Sequence, residues 1–176
     1  GSGNFLTETY ISLRRLENEV LRILSHGQIS FGDVDWNPIQ VSIGQFYGIE
    51  INDFAVTVAK TALWIAESQM MKETEDVVHM SLNFLPLKSY TNITEGNALR
   101  IDWEDVVPKH NLNYIMGNPP FVGKKEQKPE QKKDLMNLYG KGISGVGNMD
   151  YVTGWYIKAA KYMQGTKIHT CLLYTS

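Results

Sequence analysis

Residues 117–121 read Gly-Asn-Pro-Pro-Phe and are the residues of this chain best suited to chemistry. The apolar run 112–116 before them predicts a short buried strand, and the prolines, which lack N–H groups and fix φ, predict that it stops there. Open α/β sheets bind ligands at the carboxyl ends of their strands. An amide, one or two unpaired carbonyl oxygens and an aromatic face at such an end can accept both hydrogens of an exocyclic amine and stack on its ring. The plain alternative is a proline-rich strand exit.

A glycine-rich turn is found at the start of the sequence. Gly1, Ser2, Gly3, Asn4 and Phe5 run directly into a helical pattern. Bare backbone N–H groups at a helix amino terminus favour a ligand with negative character. A leftover cloning linker is the alternative interpretation of Gly-Ser-Gly.

Glu50 follows the run 45–49 and lies at the end of a second predicted strand, 45–51. In doubly wound folds an acid at this point accepts hydrogen bonds from both ribose hydroxyls of a nucleotide. Asp53 is the predicted N-cap of the helix that follows. The alternative interpretation is that Glu50 is an ordinary exposed glutamate at a strand end and binds no ligand.

Asn97 follows Gly96 at the end of a third predicted strand, residues 91–99. Its amide both donates and accepts hydrogen bonds, so it can recognise the edge of a base. A plain Gly-Asn turn is the alternative. A short helical turn is predicted for residues 102–107, before Pro108.

Helical periodicity predicts the elements that position these residues. An amphipathic helix ending near Gly27 is expected to bury one stripe, and the helix after Asp53 carries alanines on one face. A further helix is predicted over 150–163, with Val152, Trp155, Tyr156, Ala159, Ala160 and Met163 directed inward. The stripe of the first helix consists of Leu6, Tyr10, Leu13, Leu16, Val20, Ile23 and Leu24, and the alanines are Ala55, Ala59, Ala62 and Ala66.

The connecting segments carry weaker signals. Residues 72–90 predict a loop, and the lysine-rich run 124–133 is either a solvated loop or a loop that contacts phosphates. The glycines of 140–147 predict a flexible segment that could act as a lid. Residues 167–174 could be a further strand, or the tail of the chain could be non-native.

Composition predicts one soluble cytosolic domain. A net charge of −2 gives no general attraction to a polyanion, so nucleic acid needs a local basic patch or a segment outside the chain. The lone cysteine, Cys171, suits a reducing compartment, and there is no run long and apolar enough to span a membrane. The four histidines lack metal-ligand spacing, so no metal is expected.

Four ordered segments, GSGNFL, GIEIN, EGNAL and GNPPF, together resemble the amino-methyltransferases, which move a methyl group from S-adenosyl-L-methionine to a planar nitrogen. The resemblance is strongest to adenine-N6 DNA methyltransferases of restriction–modification systems. It implies an α/β fold with a Rossmann-like doubly wound sheet that lacks its first and last strands here. It also implies that residues 1–166 are a partial catalytic domain and that 167–176 are a truncated strand or a non-native tail.

The resemblance further assigns roles to individual residues. Double-stranded DNA is the implied partner, with its recognition region outside the chain, and the fragment alone is expected to be inactive. A protein-glutamine, cytosine-N4 or RNA-base methyltransferase and a non-catalytic nucleotide-binding fragment remain alternatives. The implied catalytic residues are Asn118, Pro119, Pro120 and Phe121, and the implied cofactor-binding residues are Gly1, Ser2, Gly3, Asn4, Phe5, Glu50, Ile51, Asn97 and Ala98.

Overall fold

The computed structural model divides into two compact units, Gly1–Glu95 and Gly96–Ser176. Among the residues that the structure describes, each unit contains helices and one pair of parallel strands, so the predicted α/β class is confirmed at this level. The doubly wound sheet remains a prediction. The structure describes residues 3–26, 39–79, 82, 91–140 and 142–173.

The first unit is built on a strand, helix, strand sequence that brings two parallel strands together. Strands β1 and β2 pair with Tyr47 opposite Asn92 and Glu50 opposite Glu95, so both strands end at the same edge. Helix α1 packs against α2, and α2 contacts both strands. The elements are α1 (Asn4–His26), β1 (Tyr47–Glu50), α2 (Asp53–Val78) and β2 (Asn92–Glu95).

The buried side of α1 differs from the predicted stripe. Tyr10 is buried as predicted, but the next positions of the buried row are Arg14 and Asn18, at 0% and 2% exposure. Arg14 donates to Thr74 Oγ1 of α2 at 2.7 Å, and Thr74 donates to Asn18 Oδ1 at 2.7 Å. A buried charge persists only where it is paired; Glu17 of α1 supplies the opposite charge, and Thr74 of α2 supplies a further hydrogen-bond acceptor. Five predicted core residues are instead 41–72% exposed: Leu13, Leu16, Val20, Ile23 and Leu24.

Replacing Arg14 by methionine is expected to lower the free energy of unfolding by about 2 kcal/mol, because Thr74 and Glu17 lose a buried partner. Arg22→Met is the matched control, since Arg22 pairs with Glu19 on the exposed face of the same helix. Exposed pairs of this kind are worth at most about 0.5 kcal/mol. Urea denaturation followed by circular dichroism measures both, and equal effects would contradict the account.

Helix α2 begins and ends differently from the sequence prediction. Its N-cap is Asn52, whose side chain accepts from the Ala55 N–H at 2.9 Å, whereas Asp53 lies in the first turn. The helix continues to Val78, so the loop predicted from residue 72 is wrong for 72–78. Val77 and Val78 keep this polar stretch helical, because they are buried together with Leu21 of α1. Residues 80, 81 and 83–90 of that loop lie outside the described residues.

The second unit also pairs two parallel strands, β3 and β4, with Tyr114 opposite His169 and Gly117 opposite Leu172. Its core contains Leu99, Leu135 and Val146. The further strand suggested for 167–174 is therefore present as β4. The elements are α3 (Trp103–Val106), β3 (Tyr114–Gly117), α4 (Pro129–Tyr139), α5 (Thr153–Tyr162) and β4 (His169–Leu172).

The structure of the second unit corrects three predictions about burial and secondary structure. Strand β3 is not fully buried: Tyr114 is 67% and Met116 38% exposed, because alternate side chains share one open face of the strand pair. The second half of the lysine-rich run is helical, since α4 begins at Pro129. On α5 two residues predicted to be directed inward, Tyr156 and Ala160, are exposed, and the exposed fraction of Tyr156 is 40%. Among the helices in the described ranges, none is long and apolar enough to cross a membrane.

Candidate functional site

The Gly-Asn-Pro-Pro-Phe motif lies at the carboxyl end of β3, as predicted. Residues 118–123 follow the strand without helix or strand, in keeping with the prolines. Asn118 is exposed, Pro119 is buried and Phe121 is half-buried. The motif therefore presents an amide at the surface on a backbone anchored by a buried proline.

One of the carbonyl oxygens expected to be unpaired is occupied. The Gly117 carbonyl accepts a hydrogen bond from the Leu173 N–H at 2.9 Å, just beyond β4. The acceptors that the motif can offer a ligand are thus the Asn118 amide and the carbonyls that follow Gly117. The Pro119 carbonyl is the one that the motif chemistry requires.

Val122, directly after the aromatic residue of the motif, is held from both sides. Its N–H donates to Asp150 Oδ1 at 3.2 Å, and its carbonyl accepts from the Tyr151 N–H at 3.0 Å and from Gln127 Nε2 at 3.0 Å. Gln127 is buried and also donates to the Met149 carbonyl at 2.8 Å. These hydrogen bonds fix the backbone next to the motif, so the ring of Phe121 is attached to a rigid segment.

Glu50 ends β1 and is half-buried. Its Oε1 accepts a hydrogen bond from the Asn52 N–H at 3.1 Å. Burial acts to raise the pKa of Glu50, but hydrogen bonds to the carboxylate, including that from Asn52, outweigh it and hold the pKa below its ordinary value. The side chain is therefore an anion at neutral pH, and the next residue, Ile51, is 68% exposed.

Gly3 and Gly48 bring the start of α1 close to the rest of the first unit. Gly3 has φ +77°, and a Cβ there would lie 2.7 Å from the Ala59 Cβ, so only glycine fits. A Cβ on Gly48 would lie 3.2 Å from Leu6 Cδ1. The first turn of α1 thus lies against both α2 and β1. Asn4 is exposed and Phe5 is 44% exposed, whereas Gly1 and Ser2 lie outside the described residues.

Asn97 belongs to a polar cluster that sequence patterns did not reveal. Its Nδ2 donates to Asp134 Oδ2 at 3.3 Å, and its Oδ1 accepts from the Leu99 N–H at 2.9 Å. Asp134 also accepts from Arg100 Nε at 2.8 Å and from the Tyr151 hydroxyl at 3.2 Å. Burial raises the pKa of Tyr151, so its hydroxyl stays protonated and donates.

The available sequence signal for this cluster was a carboxylate on the apolar face of a helix. Asp134 precedes Leu135 and lies four residues before Leu138, both of which belong to the core of the unit. A charge at such a position implies a specific buried partner. Ala98, the other residue implied here, accepts a hydrogen bond at its carbonyl from Trp103 Nε1 at 2.9 Å.

The predicted residues fall into two sets. The first unit brings together the turn at Gly3 and the strand that ends at Glu50, because Leu6 packs on Gly48. The second unit connects Asn97 to the segment after the motif through Tyr151, whose hydroxyl contacts Asp134 and whose N–H contacts Val122.

The lysine-rich segment begins with a turn directly after this rigid point. Lys124 donates to Asn148 Oδ1 and Lys125 is exposed. The Gly145 N-cap precedes a short turn in which Val146 is buried. Neither a phosphate contact nor a lid movement is tested by this arrangement, and both stay predictions.

Comparison with protein families gives a match over the whole chain. A family model described as MmeI, DNA-methyltransferase domain, matches residues 1–176. DNA methyltransferase A of Bacillus subtilis (strain 168) is 40% identical over 179 residues, covering 100% of this chain and 20% of that protein. A putative type II restriction enzyme and methyltransferase of Methanocaldococcus jannaschii is 28% identical over 121 residues, covering 67% of this chain and 9% of that protein.

Among solved structures, the type IIL restriction-modification enzyme MmeI in complex with DNA is similar to this chain with a TM-score of 0.88 and 42% identity. The match covers 98% of this chain and 23% of that one. The chain thus spans about a fifth of the length of the Bacillus relative.

Proposed function

The chain belongs to the MmeI DNA-methyltransferase domain family, and on that basis we propose that it transfers a methyl group from S-adenosylmethionine to N6 of an adenine in DNA. The enzyme that carries it belongs to a restriction–modification system. The observation that carries the proposal is the exposed Asn118 amide at the end of a parallel strand, beside a half-buried Phe121 on a fixed backbone.

We assign the binding of the target adenine to residues 118–121. The adenine is rotated out of the duplex at a cost of a few kcal/mol. Its ring stacks on Phe121, which returns about 1–3 kcal/mol. The Asn118 Oδ1 and the Pro119 carbonyl accept the two N6 hydrogens, which draws the nitrogen lone pair out of conjugation with the ring. Catalysis then consists of positioning and of fixed dipoles directed at developing charge.

The cofactor-binding residues fit a nucleoside with a charged amino-acid tail. Glu50 is an ionised acceptor for the two ribose hydroxyls, and the exposed Ile51 offers an apolar contact for the base. The positive φ of Gly3 places bare backbone at the start of α1 for the methionine part. Asn97 and Ala98 contact the adenine edge, and Gly1, Ser2, Asn4 and Phe5 join Gly3 in the turn proposed for the methionine part. S-adenosylmethionine, when bound, supplies an activated methyl group.

We extend the proposal to the fold, the partner and the cellular location. The proposed fold is a Rossmann-like doubly wound sheet. The proposed partner is double-stranded DNA, and the proposed location is cytoplasmic. The fragment of 176 residues is expected to be inactive alone.

Phe121→Ala is expected to lower kcat/KM for DNA roughly tenfold, because the base loses its stacking partner while the acceptors remain. Phe121→Tyr keeps the ring and should retain most activity. Methyl incorporation at several DNA concentrations measures both variants in the intact enzyme. Equal losses in the two variants would show that the ring is not a stacking surface.

The identity of the methyl acceptor tests the function. The intact enzyme is incubated with methyl-labelled S-adenosylmethionine and, separately, with DNA, RNA or a protein that carries an accessible glutamine. Labelled DNA is digested to nucleosides and separated by mass spectrometry. N6-methyldeoxyadenosine is the expected product. Label on cytosine N4, on RNA or on glutamine would contradict the proposal, and absence of label from every acceptor would favour a nucleotide-binding role.

A further inference from the structure

The orientation of the Asn97 amide is decided by its two partners. A backbone N–H can only donate and a carboxylate can only accept. Because Leu99 donates at 2.9 Å and Asp134 accepts at 3.3 Å, the oxygen must face Leu99 and the nitrogen must face Asp134. The network therefore distinguishes the two ends of a group whose O and N are otherwise hard to tell apart.

Asp134 is itself held in place. It is 6% exposed and accepts from Arg100 through Nε at 2.8 Å and Nη2 at 3.2 Å, which is the planar two-bond geometry of an arginine–carboxylate pair. The Tyr151 hydroxyl adds a third donor at 3.2 Å. A buried carboxylate with three hydrogen bonds besides that from Asn97 has little freedom, so it keeps the nitrogen end of Asn97 directed toward itself.

We propose that Asp134 is a positioning residue that makes Asn97 a hydrogen-bond acceptor toward the exocyclic amine of the cofactor's adenine. This inference rests on the proposed function. The Asn97 Oδ1 has a second lone pair beyond the one used by the Leu99 N–H, whereas its N–H side faces Asp134. An acceptor in this place binds a 6-amino group and rejects a 6-oxo group, which offers no hydrogen to it.

Discrimination between two ligands tests the proposal. S-adenosylhomocysteine and S-inosylhomocysteine differ in the 6-position, which carries an amine in the first and a carbonyl in the second. Calorimetry on the intact enzyme should give at least about fivefold tighter binding of the adenine compound, the value of one hydrogen bond. In Asp134→Ala only the Leu99 N–H still orients the Asn97 amide, so the amide is held less firmly and the preference should fall to less than about twofold. A general loss of packing would weaken the binding of both ligands equally, so the ratio of their affinities would not change.

An exchange of the two side chains gives a second, independent readout. Asn97→Asp puts one carboxylate against another, since Asp134 lies 3.3 Å from the amide it replaces, and should weaken binding of the adenine compound. The double variant N97D/D134N restores one acid and one amide in exchanged positions and should recover the preference. Glu130→Ala is the control, because Glu130 is an exposed acid in the first turn of the same helix.

The outcomes separate the two claims. If the wild-type enzyme binds both ligands and Asp134→Ala keeps the wild-type ratio, the positioning role is wrong and the proposed function stands. If the double variant is no better than Asn97→Asp alone, the positioning role is also wrong. If the wild-type enzyme binds neither ligand, the proposed function fails, and this inference fails with it.

Discussion

Replacing Asn118 by alanine is expected to lower the rate of methyl transfer by roughly two to three orders of magnitude, the usual loss when one preorganised polar group is removed from an active site. The amide oxygen is the side-chain acceptor for the adenine N6 hydrogens, and Asn118 is exposed at the end of β3, where nothing else in the motif has a polar side chain. Single-turnover methylation of DNA by the intact enzyme gives the rate, and calorimetry gives the affinity for S-adenosylmethionine, which should not change.

Two further variants make this result specific. Asn118→Asp keeps two acceptor oxygens and should retain more activity than the alanine variant. Asn137→Ala removes an exposed asparagine from α4 and should leave the rate unchanged. Normal turnover in Asn118→Ala, or a loss of cofactor affinity that matches its loss of rate, would remove Asn118 from the catalytic role.

Replacing Glu50 by alanine should weaken S-adenosylmethionine binding by about a hundredfold or more, because hydrogen bonds to a charged acceptor contribute about 1.5–3 kcal/mol each and two ribose hydroxyls would lose theirs. Glu95→Ala is a closely matched control, since Glu95 pairs with Glu50 in the strand register and is exposed. Calorimetry on the intact enzyme measures both variants. Equal affinities of the two variants would contradict the role of Glu50.

The pH dependence of binding follows from the ionisation of Glu50, whose Oε1 accepts the Asn52 N–H, a bond that favours the carboxylate. A carboxyl whose pKa is depressed stays ionised down to that pKa, so its contribution is present at neutral pH and is lost only as the pH falls through it. Affinity should therefore be constant from about pH 8 to about pH 5, above the ordinary glutamate pKa of about 4.3. In Glu50→Gln this acid limb should disappear.

The segments of the candidate site could be predicted from the sequence, because short-range conformational preferences determine them. Two prolines end β3, because they cannot continue the strand. A glycine with φ +77° precedes α1, where its backbone lies close to Ala59. The position of Glu50 at the end of β1 follows from the strand itself and requires no contact with a distant residue. Each of these features depends on a few neighbouring residues. The parallel pairing of β1 with β2 follows from the helix between them, because a crossover of that length favours parallel strands.

The features that could not be predicted from the sequence depend on contacts between residues far apart in the chain. Arg14 packs against α2 through Thr74, 60 residues later, which accepts its hydrogen bond. Asp134 is buried against Arg100 and Asn97, 34 and 37 residues earlier, which both donate to it. Periodicity shows which side chains share a face of a helix, and it does not show which face meets a partner. The predicted stripe of α1 failed for this reason: the packed row runs through Arg14 and Asn18.

A structure of the intact enzyme with DNA and S-adenosylhomocysteine tests the account most directly. It predicts a target adenine outside the duplex, with N6 about 3 Å from both the Asn118 Oδ1 and the Pro119 carbonyl and with its ring stacked on Phe121. An adenine that stays paired in the duplex, or an N6 amine held by other residues while Asn118 faces solvent, would contradict it.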